Sequence, residues 1–430
     1  MFSIGINPRL SKHSFLNQLL SPQKIKGNKN ILLMFMSSPA EWHVDLLEVA
    51  QKCVYCGYCS LCPTFKELKW ETYHPRGILE QIRMYFSEGV KESVQVEVSK
   101  SLFEAIFACT MCKACENICL VDLPLLKVWE QVRQEAFRKG RWNPLLLSLY
   151  NKVKSTHNIY GLPTEERLAW ANLAGMNMSR RTKKKAPLAF FVGCQASYSG
   201  KMGNVAPSVV KILRKTKVNF TILGLDEWCC GSPVFLAGGY SAGRDFAKHN
   251  LDQLKELGVE RIVTACSGCY RAFKIVYPRV LGEKWDIEVL HITELAEELI
   301  KNGKLKLKHS IKEKITFKDP CELVRHCGLV EAPREVIKQI PNVRFEELPS
   351  NKHEALCCGG GGLLKLNDSD LVNQVNSRLV SEIKYTEAEI VANGCPTCKD
   401  TILTGVKNDN LDVEVLDISE LIVRAMEGEK

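Results

Sequence analysis

"EWCCGSPVF" occupies residues 227–235 and "ALCCGGGG" residues 355–362. Each sets two adjacent cysteines directly before a glycine. A disulfide between neighbours is disfavoured, because consecutive Cα atoms lie about 3.8 Å apart, less than an unstrained bridge prefers. Working outward from the two stretches, Cys194 pairs with Cys321, Cys229 with Cys357, Cys266 with Cys395 and Cys269 with Cys398, at offsets of 127, 128, 129 and 129 residues. The surroundings repeat as well: "VNFTIL" matches "VRFEEL", "RIVTAC" matches "EIVANGC", and "DIEVLHITEL" matches "DVEVLDISEL". The chain contains a duplicated unit of roughly 125 residues.

Within each unit, short β-rich runs such as "LAFFVGC" and "RIVTAC" alternate with helical patterns such as "RDFAKHNLDQLKELG", which ends in a capping glycine. That alternation predicts a parallel sheet flanked by helices. Ala206-Pro207 and Ala332-Pro333 open the matching first helices, where a helix start tolerates proline. Cys194 ends the first predicted strand, the Cys229-Cys230 pair follows the second, and Cys266 ends the third. Open parallel sheets gather ligands beyond the carboxyl ends of their strands, so five thiols per unit are expected at one rim.

Composition sets the frame. A chain of 430 residues, 45% of them apolar, is expected to fold as two or three domains. Nineteen cysteines are many for an intracellular protein yet too sparse for a small disulfide scaffold, which favours metal or redox chemistry. No apolar run approaches the roughly 18 residues of a membrane span, and the first 36 residues lack the pattern of a secretory signal. A reducing cytoplasm is the expected compartment. Residues 1–36, with Arg9, Lys12, Lys24, Lys26 and Lys29, are expected to be a disordered basic extension, or upstream sequence if translation begins at Met34 or Met36. The net charge of +9 is partly concentrated in "SRRTKKKAP" at 179–187, read as a solvated linker. No aromatic-studded basic stripe points to nucleic acid, so no nucleic-acid partner is expected.

A structural zinc takes four ligands, and "CSGC" (266–269) or "CPTC" (395–398) alone would suit it. Five cysteines per unit exceed that need, whereas thiolate-rich sites also hold iron-sulfur clusters; zinc stays the alternative in one unit. Gly231 and Gly359 to Gly362 are expected to let backbone amides approach the sulfurs.

Upstream, residues 53–63 read "CVYCGYCSLCP" and residues 109–119 read "CTMCKACENIC". The second is a full C-x2-C-x2-C-x3-C ferredoxin run; in the first, Cys62 arrives one residue early. In two-cluster ferredoxins the fourth cysteine of each run ligates the other cluster. This assigns Cys53, Cys56, Cys59 and Cys119 to one cubane cluster, and Cys109, Cys112, Cys115 and Cys62 to a second. The flanking segments read as helices: "PAEWHVDLLEVAQ" after Ser38, "PRGILEQIRMYF" from Pro75, and "LLKVWEQVRQEAFRKG" stopping at Gly140. Only Cys327 falls outside these patterns, and it reads as a small core residue.

The spacing of the duplicated half resembles the CCG domains of heterodisulfide reductases and related iron-sulfur oxidoreductases, and the front half resembles the α-helical ferredoxin domain of succinate dehydrogenase iron-sulfur subunits. The resemblance implies non-cubane 4Fe-4S clusters on Cys194, Cys229, Cys230, Cys266 and Cys269, and on Cys321, Cys357, Cys358, Cys395 and Cys398. The expected fold is α/β with an all-α N-terminal domain: ferredoxin domain at 37–145, linker at 146–187, and tandem CCG units at 188–302 and 310–426. The plan is shared by iron-sulfur subunits of glycolate and anaerobic glycerol-3-phosphate dehydrogenases. There the first unit tends to lack part of its closing cysteine pair, but here "CSGCYRAF" is complete. The resemblance therefore implies an oxidoreductase subunit of heterodisulfide reductase D type, reducing a small-molecule disulfide. A membrane cytochrome or flavoprotein subunit is the implied partner, and peripheral attachment to the inner membrane face through it the implied location. An electron conduit for a flavin 2-hydroxyacid or glycerol-3-phosphate dehydrogenase is the second reading, and a zinc-rich scaffold the third.

Overall fold

In the computed structural model the described residues are 44–141, 143–282 and 285–428. The basic extension 1–36 and the helix start at Ser38 lie outside them. Among the described residues up to 187 the regular elements are helices, of which Pro75–Phe86, Glu92–Phe107 and Leu125–Arg138 are the longest of the ferredoxin half. They form where the sequence places them: Pro75 sits at N1 behind His74, and Gly140 takes a positive φ of 65° just past the third. Their apolar stripes pack Ile82, Leu102, Ile106, Val128, Trp129 and Val132 into one core.

Two four-stranded parallel sheets follow. β1 (Leu188–Phe190), β2 (Phe220–Thr221), β3 (Arg261–Thr264) and β4 (Glu288–His291) run in the order β2-β1-β3-β4. β5 (Lys314–Lys318), β6 (Arg344–Phe345), β7 (Ile390–Asn393) and β8 (Glu414–Asp417) run in the order β6-β5-β7-β8. Registers repeat too: Phe190 lies opposite Val263 as Phe317 lies opposite Ala392. The last helix of each unit, Ile292–Lys301 and Ile418–Glu427, starts from a capping box, on His291 and on Asp417 respectively.

The units share a core. Helix Val205–Lys215 of the first packs on Ile418–Glu427 of the second, and Ile292–Lys301 of the first on Ala332–Lys338 of the second. This reciprocal exchange gives the duplicated half a pseudo-twofold arrangement and brings the cysteine-bearing strand ends of both sheets to one place.

Residues 146–187, read as a linker, are packed structure. Helix Pro144–Thr156 buries Leu149 and Val153 in the first unit, and Trp170, Ala171 and Met178 join the shared core. The basic run lies along the edge of β2: Thr182 bridges Ile222, the Lys183 amide donates to the Ile222 carbonyl at 2.9 Å, and Lys183 pairs with Asp226. The alternating apolar pattern carried no sign of this, because the segment covers an edge strand rather than extending the repeat. Among the described residues no helix is long and apolar enough to cross a membrane.

Candidate metal sites

The ferredoxin runs are two tight loops held in left-handed turns, with φ of 80° at Gly57 and of 55° and 65° at Met111 and Lys113. The loops interleave. One small cavity is lined by Cys62, Cys109, Cys112 and Cys115 beside Thr64 and Trp129. A second is lined by Cys53, Cys56, Cys59 and Cys119, with Cys115 on its wall. Each run thus delivers its fourth cysteine to the other run's cavity. The early arrival of Cys62 does not prevent this, because Cys62 turns directly into helix Pro63–Leu68 and is buried there. Amides and side chains surround the sulfurs: Met111 N–H donates to Cys109 Sγ at 3.3 Å, and His74 Nδ1 lies 3.8 Å from Cys59 Sγ. Burial pushes the Cys59 thiol up to about 11.

In the CCG half the thiols form a continuous string. Cys194 lies in hydrogen-bond reach of Cys229, Cys229 of Cys230, Cys230 of Cys269, and Cys269 of Cys266. Cys266 then meets Cys395 of the second unit, which leads through Cys398, Cys358 and Cys357 to Cys321. The Cys358–Cys398 sulfur separation is 3.4 Å. All of these thiols except Cys357 line one cleft of about 390 Å³ between the units. Cys357 lies behind the wall, in a buried cluster with Cys321 and Cys112 of the ferredoxin half. Strand-end side chains set the turns: Thr264 Oγ1 accepts from the Cys266 amide at 3.3 Å, and Asn393 Oδ1 from the Cys395 amide at 3.1 Å.

The glycine loop has two jobs. Gly359 N–H donates to Cys357 Sγ at 3.4 Å, as expected of an amide near sulfur. Gly361 and Gly362 instead let the loop dock on the second ferredoxin run: a Cβ at Gly362 would stand 2.3 Å from the Cys109 carbonyl oxygen, and one at Gly361 2.8 Å from that of Thr110. Fully buried Arg133 ties this junction, donating to the carbonyls of Ile106, Cys109, Leu236 and Gly362 at 2.8–3.2 Å. Arg325 donates to the carbonyls of Cys112 and Ala355, each at 2.7 Å, and His326 Nε2 lies 2.9 Å from that of Met111. Both sit in the junction between the ferredoxin half and the second unit.

Charged groups face the thiols. Lys318 Nζ donates to Cys398 Sγ at 3.3 Å; burial works to lower its pKa, but Cys398, Cys358, Cys321 and Cys357 outweigh it and push it up. In the first unit Arg167 reaches Cys194 Sγ at 3.9 Å while pairing with Glu227 at 2.8 Å. Burial also pushes the Glu322 carboxyl, on the cleft wall, up to about 7. Arg133, Arg167 and Lys318 escape a motif search because none lies in a cysteine motif. The available signal for Lys318 was a lysine closing "ITFK" where the equivalent run reads "LAFF". Cys327 is half-buried against the same core as Cys266, and does not line the cleft.

This donor set fits iron-sulfur clusters. Apart from Cys327, the cysteines are free thiols gathered in sets of four or five.

Residues 188–274 and 315–402 each match the cysteine-rich CCG domain, and residues 49–123 match the 4Fe-4S dicluster domain. The chain is 33% identical to the D-type subunit of dihydromethanophenazine:CoB–CoM heterodisulfide reductase of Methanosarcina acetivorans, over 89% of this chain and 95% of the relative. It is 29% identical to the probable iron-sulfur-binding oxidoreductase FadF of Bacillus subtilis, over 76% of this chain and 47% of that one. It is 28% identical to EtfAB:quinone oxidoreductase of Syntrophomonas wolfei, over 75% of this chain and 47% of that one. A 4Fe-4S dicluster domain, two CCG domains and this extent of identity place the chain in the family of D-type heterodisulfide reductase subunits, iron-sulfur oxidoreductases of CCG type.

Proposed function

We propose that this chain is the disulfide-reducing subunit of an electron-transfer complex, with two cubane clusters in the ferredoxin half and one non-cubane 4Fe-4S cluster on each five-cysteine set. The observation that carries the reading is the meeting of the two CCG sets at a single cleft, lined by every one of their cysteines but Cys357, with Cys266 of one against Cys395 of the other. Iron-sulfur clusters supply one-electron oxidation and reduction. The chain supplies the rest. Its two CCG walls hold the disulfide between them, Leu149, Ile159, Leu236, Leu363 and Leu366 keep that space apolar, and the Cys112–Cys357 contact sets the ferredoxin half directly behind the second wall. The S–S bond breaks with uptake of two electrons from a low-potential donor protein and two protons from water, releasing two thiols. A membrane cytochrome or a flavoprotein subunit is the donor this reading calls for, with the chain held peripherally at the membrane through it.

Relationship to an EtfAB:quinone oxidoreductase supports a second reading, in which the chain is a conduit between a flavoprotein and a carrier. The isolated holoprotein, given a low-potential electron donor, is expected to cleave a small organic disulfide with no flavoprotein present. Cys269→Ser is expected to abolish turnover while leaving reduction of the ferredoxin clusters intact. Cluster reduction by a 2-hydroxyacid through a co-purifying flavoprotein, with disulfides untouched, establishes the conduit instead.

A further inference from the structure

The two sheets superpose in register: Phe190 faces Val263 as Phe317 faces Ala392, so Lys318 occupies the place of Phe191. Phe191 is fully buried, edge-on to Phe273 with ring centroids 4.7 Å apart. Lys318 is 1% exposed. A buried ammonium is costly unless anionic partners compensate it. Here the partner is a thiol: Cys398 Sγ accepts from its ammonium at 3.3 Å, and Cys358 Sγ lies 3.4 Å beyond that sulfur. Glu322 is the carboxyl in the same neighbourhood, and it is shared with Arg271. In the first unit the cation nearest the thiols is Arg167, farther from sulfur and already balanced by the Glu227 carboxylate at 2.8 Å.

We infer that Lys318 is a positioning residue for the second CCG site, a fixed counter-charge to its thiolates that makes this site the more readily reduced of the two. A fixed positive charge in a desolvated site favours each added electron, and it does so locally. The inference rests on the reading that both five-cysteine sets hold clusters.

The test is a redox titration of the full holoprotein followed by electron paramagnetic resonance and by iron content, with Lys318→Met and Lys318→Arg. Signals are assigned with Cys194→Ser and Cys321→Ser, each of which removes one CCG site. In the unaltered protein the second site is expected to titrate at the higher potential. Lys318→Met is expected to keep its iron and shift that site to lower potential, with the first site unmoved and Lys318→Arg close to the parent. Loss of the second site's iron in Lys318→Met but not in Lys318→Arg also supports the assignment, since the charge is then needed to hold the thiolates. A Lys318→Met protein with parental iron and potentials overturns it, as does equal iron loss in both variants. If Cys321→Ser removes no signal and no iron, the cluster reading of the second unit fails, and the inference falls with it.

Discussion

The two CCG units have the same strand order, the same registers and the same five cysteines, yet they are placed in different surroundings. After Cys230 the first unit turns at Gly231 into a short helix, Ser232–Leu236, whose Val234 and Phe235 pack in its own core while Leu236 touches the ferredoxin core. After Cys358 the second unit runs through four glycines that lie against Cys109 and Thr110. Four residues beyond the first cysteine, one unit has Tyr198 under the guanidinium of Arg167, while the other has Arg325 bonded to Cys112. Duplication supplies the convergence of thiols, and small changes beside the cysteines decide which copy faces the ferredoxin half. The first unit meets that half through the Arg271–Glu130 ion pair, Leu236, and Gly238, where a Cβ would stand 2.4 Å from the Arg133 carbonyl oxygen, with no cysteine in these contacts.

If the units differ mainly in docking, a residue that ties both should have the largest effect. Arg133→Met removes donors from four carbonyls, on the ferredoxin half and on both units, and each buried carbonyl left unpaired costs about 1–3 kcal/mol. A loss of more than about 3 kcal/mol is expected in denaturant unfolding of the holoprotein. A loss below about 1 kcal/mol would mean that water replaces the guanidinium and the junction is not tight.

Two glycines, one in the loop after each cysteine pair, give a smaller and asymmetric effect. Gly362 has φ of 63° and no space for a Cβ against backbone, so Gly362→Ala should cost about 2–3 kcal/mol. Gly231 has φ of 78°, but its Cβ would press only on the edge of Phe235 at 3.1 Å, with Phe246 and the Gly243 carbonyl at ordinary contact, so Gly231→Ala should cost about 1 kcal/mol. Thermal unfolding of the two variants side by side reads the difference, and equal losses would remove the docking role assigned to the second loop. Smallest of all is Cys327→Ser, for which iron content and spectra should match the parent; a lost cluster would mean that the second unit's cysteines are wrongly assigned.

Much of this arrangement is legible in the order of residues alone. Strands that alternate with helices and lead into cysteines dictate where thiols gather, since a parallel sheet has one functional edge. The ferredoxin rhythm likewise puts Cys62 with Cys109, Cys112 and Cys115, and the structure gathers those four in one cavity. What escapes is long-range. Nothing local to "GGGG" says that two of its glycines are spacers for a distant backbone, and Arg133 sits in an ordinary amphipathic helix with its role set by carbonyls up to 229 residues away. The stretch 146–187 lacks the repeat's period because it covers an edge and fills a core that the repeat leaves open. Buried cations are illegible for the same reason: Lys318 is a surface residue by composition and becomes a partner of sulfur only when β5 and helix Pro396–Asn408 come together.

The central claim is that both five-cysteine sets hold clusters, in addition to the two of the ferredoxin half, and the metal and sulfide content of anaerobically purified protein tests it most directly. Four 4Fe-4S clusters predict about 16 irons with matching sulfide and little zinc. About 8 irons with stoichiometric zinc would contradict the claim for the CCG units and leave the ferredoxin half standing alone.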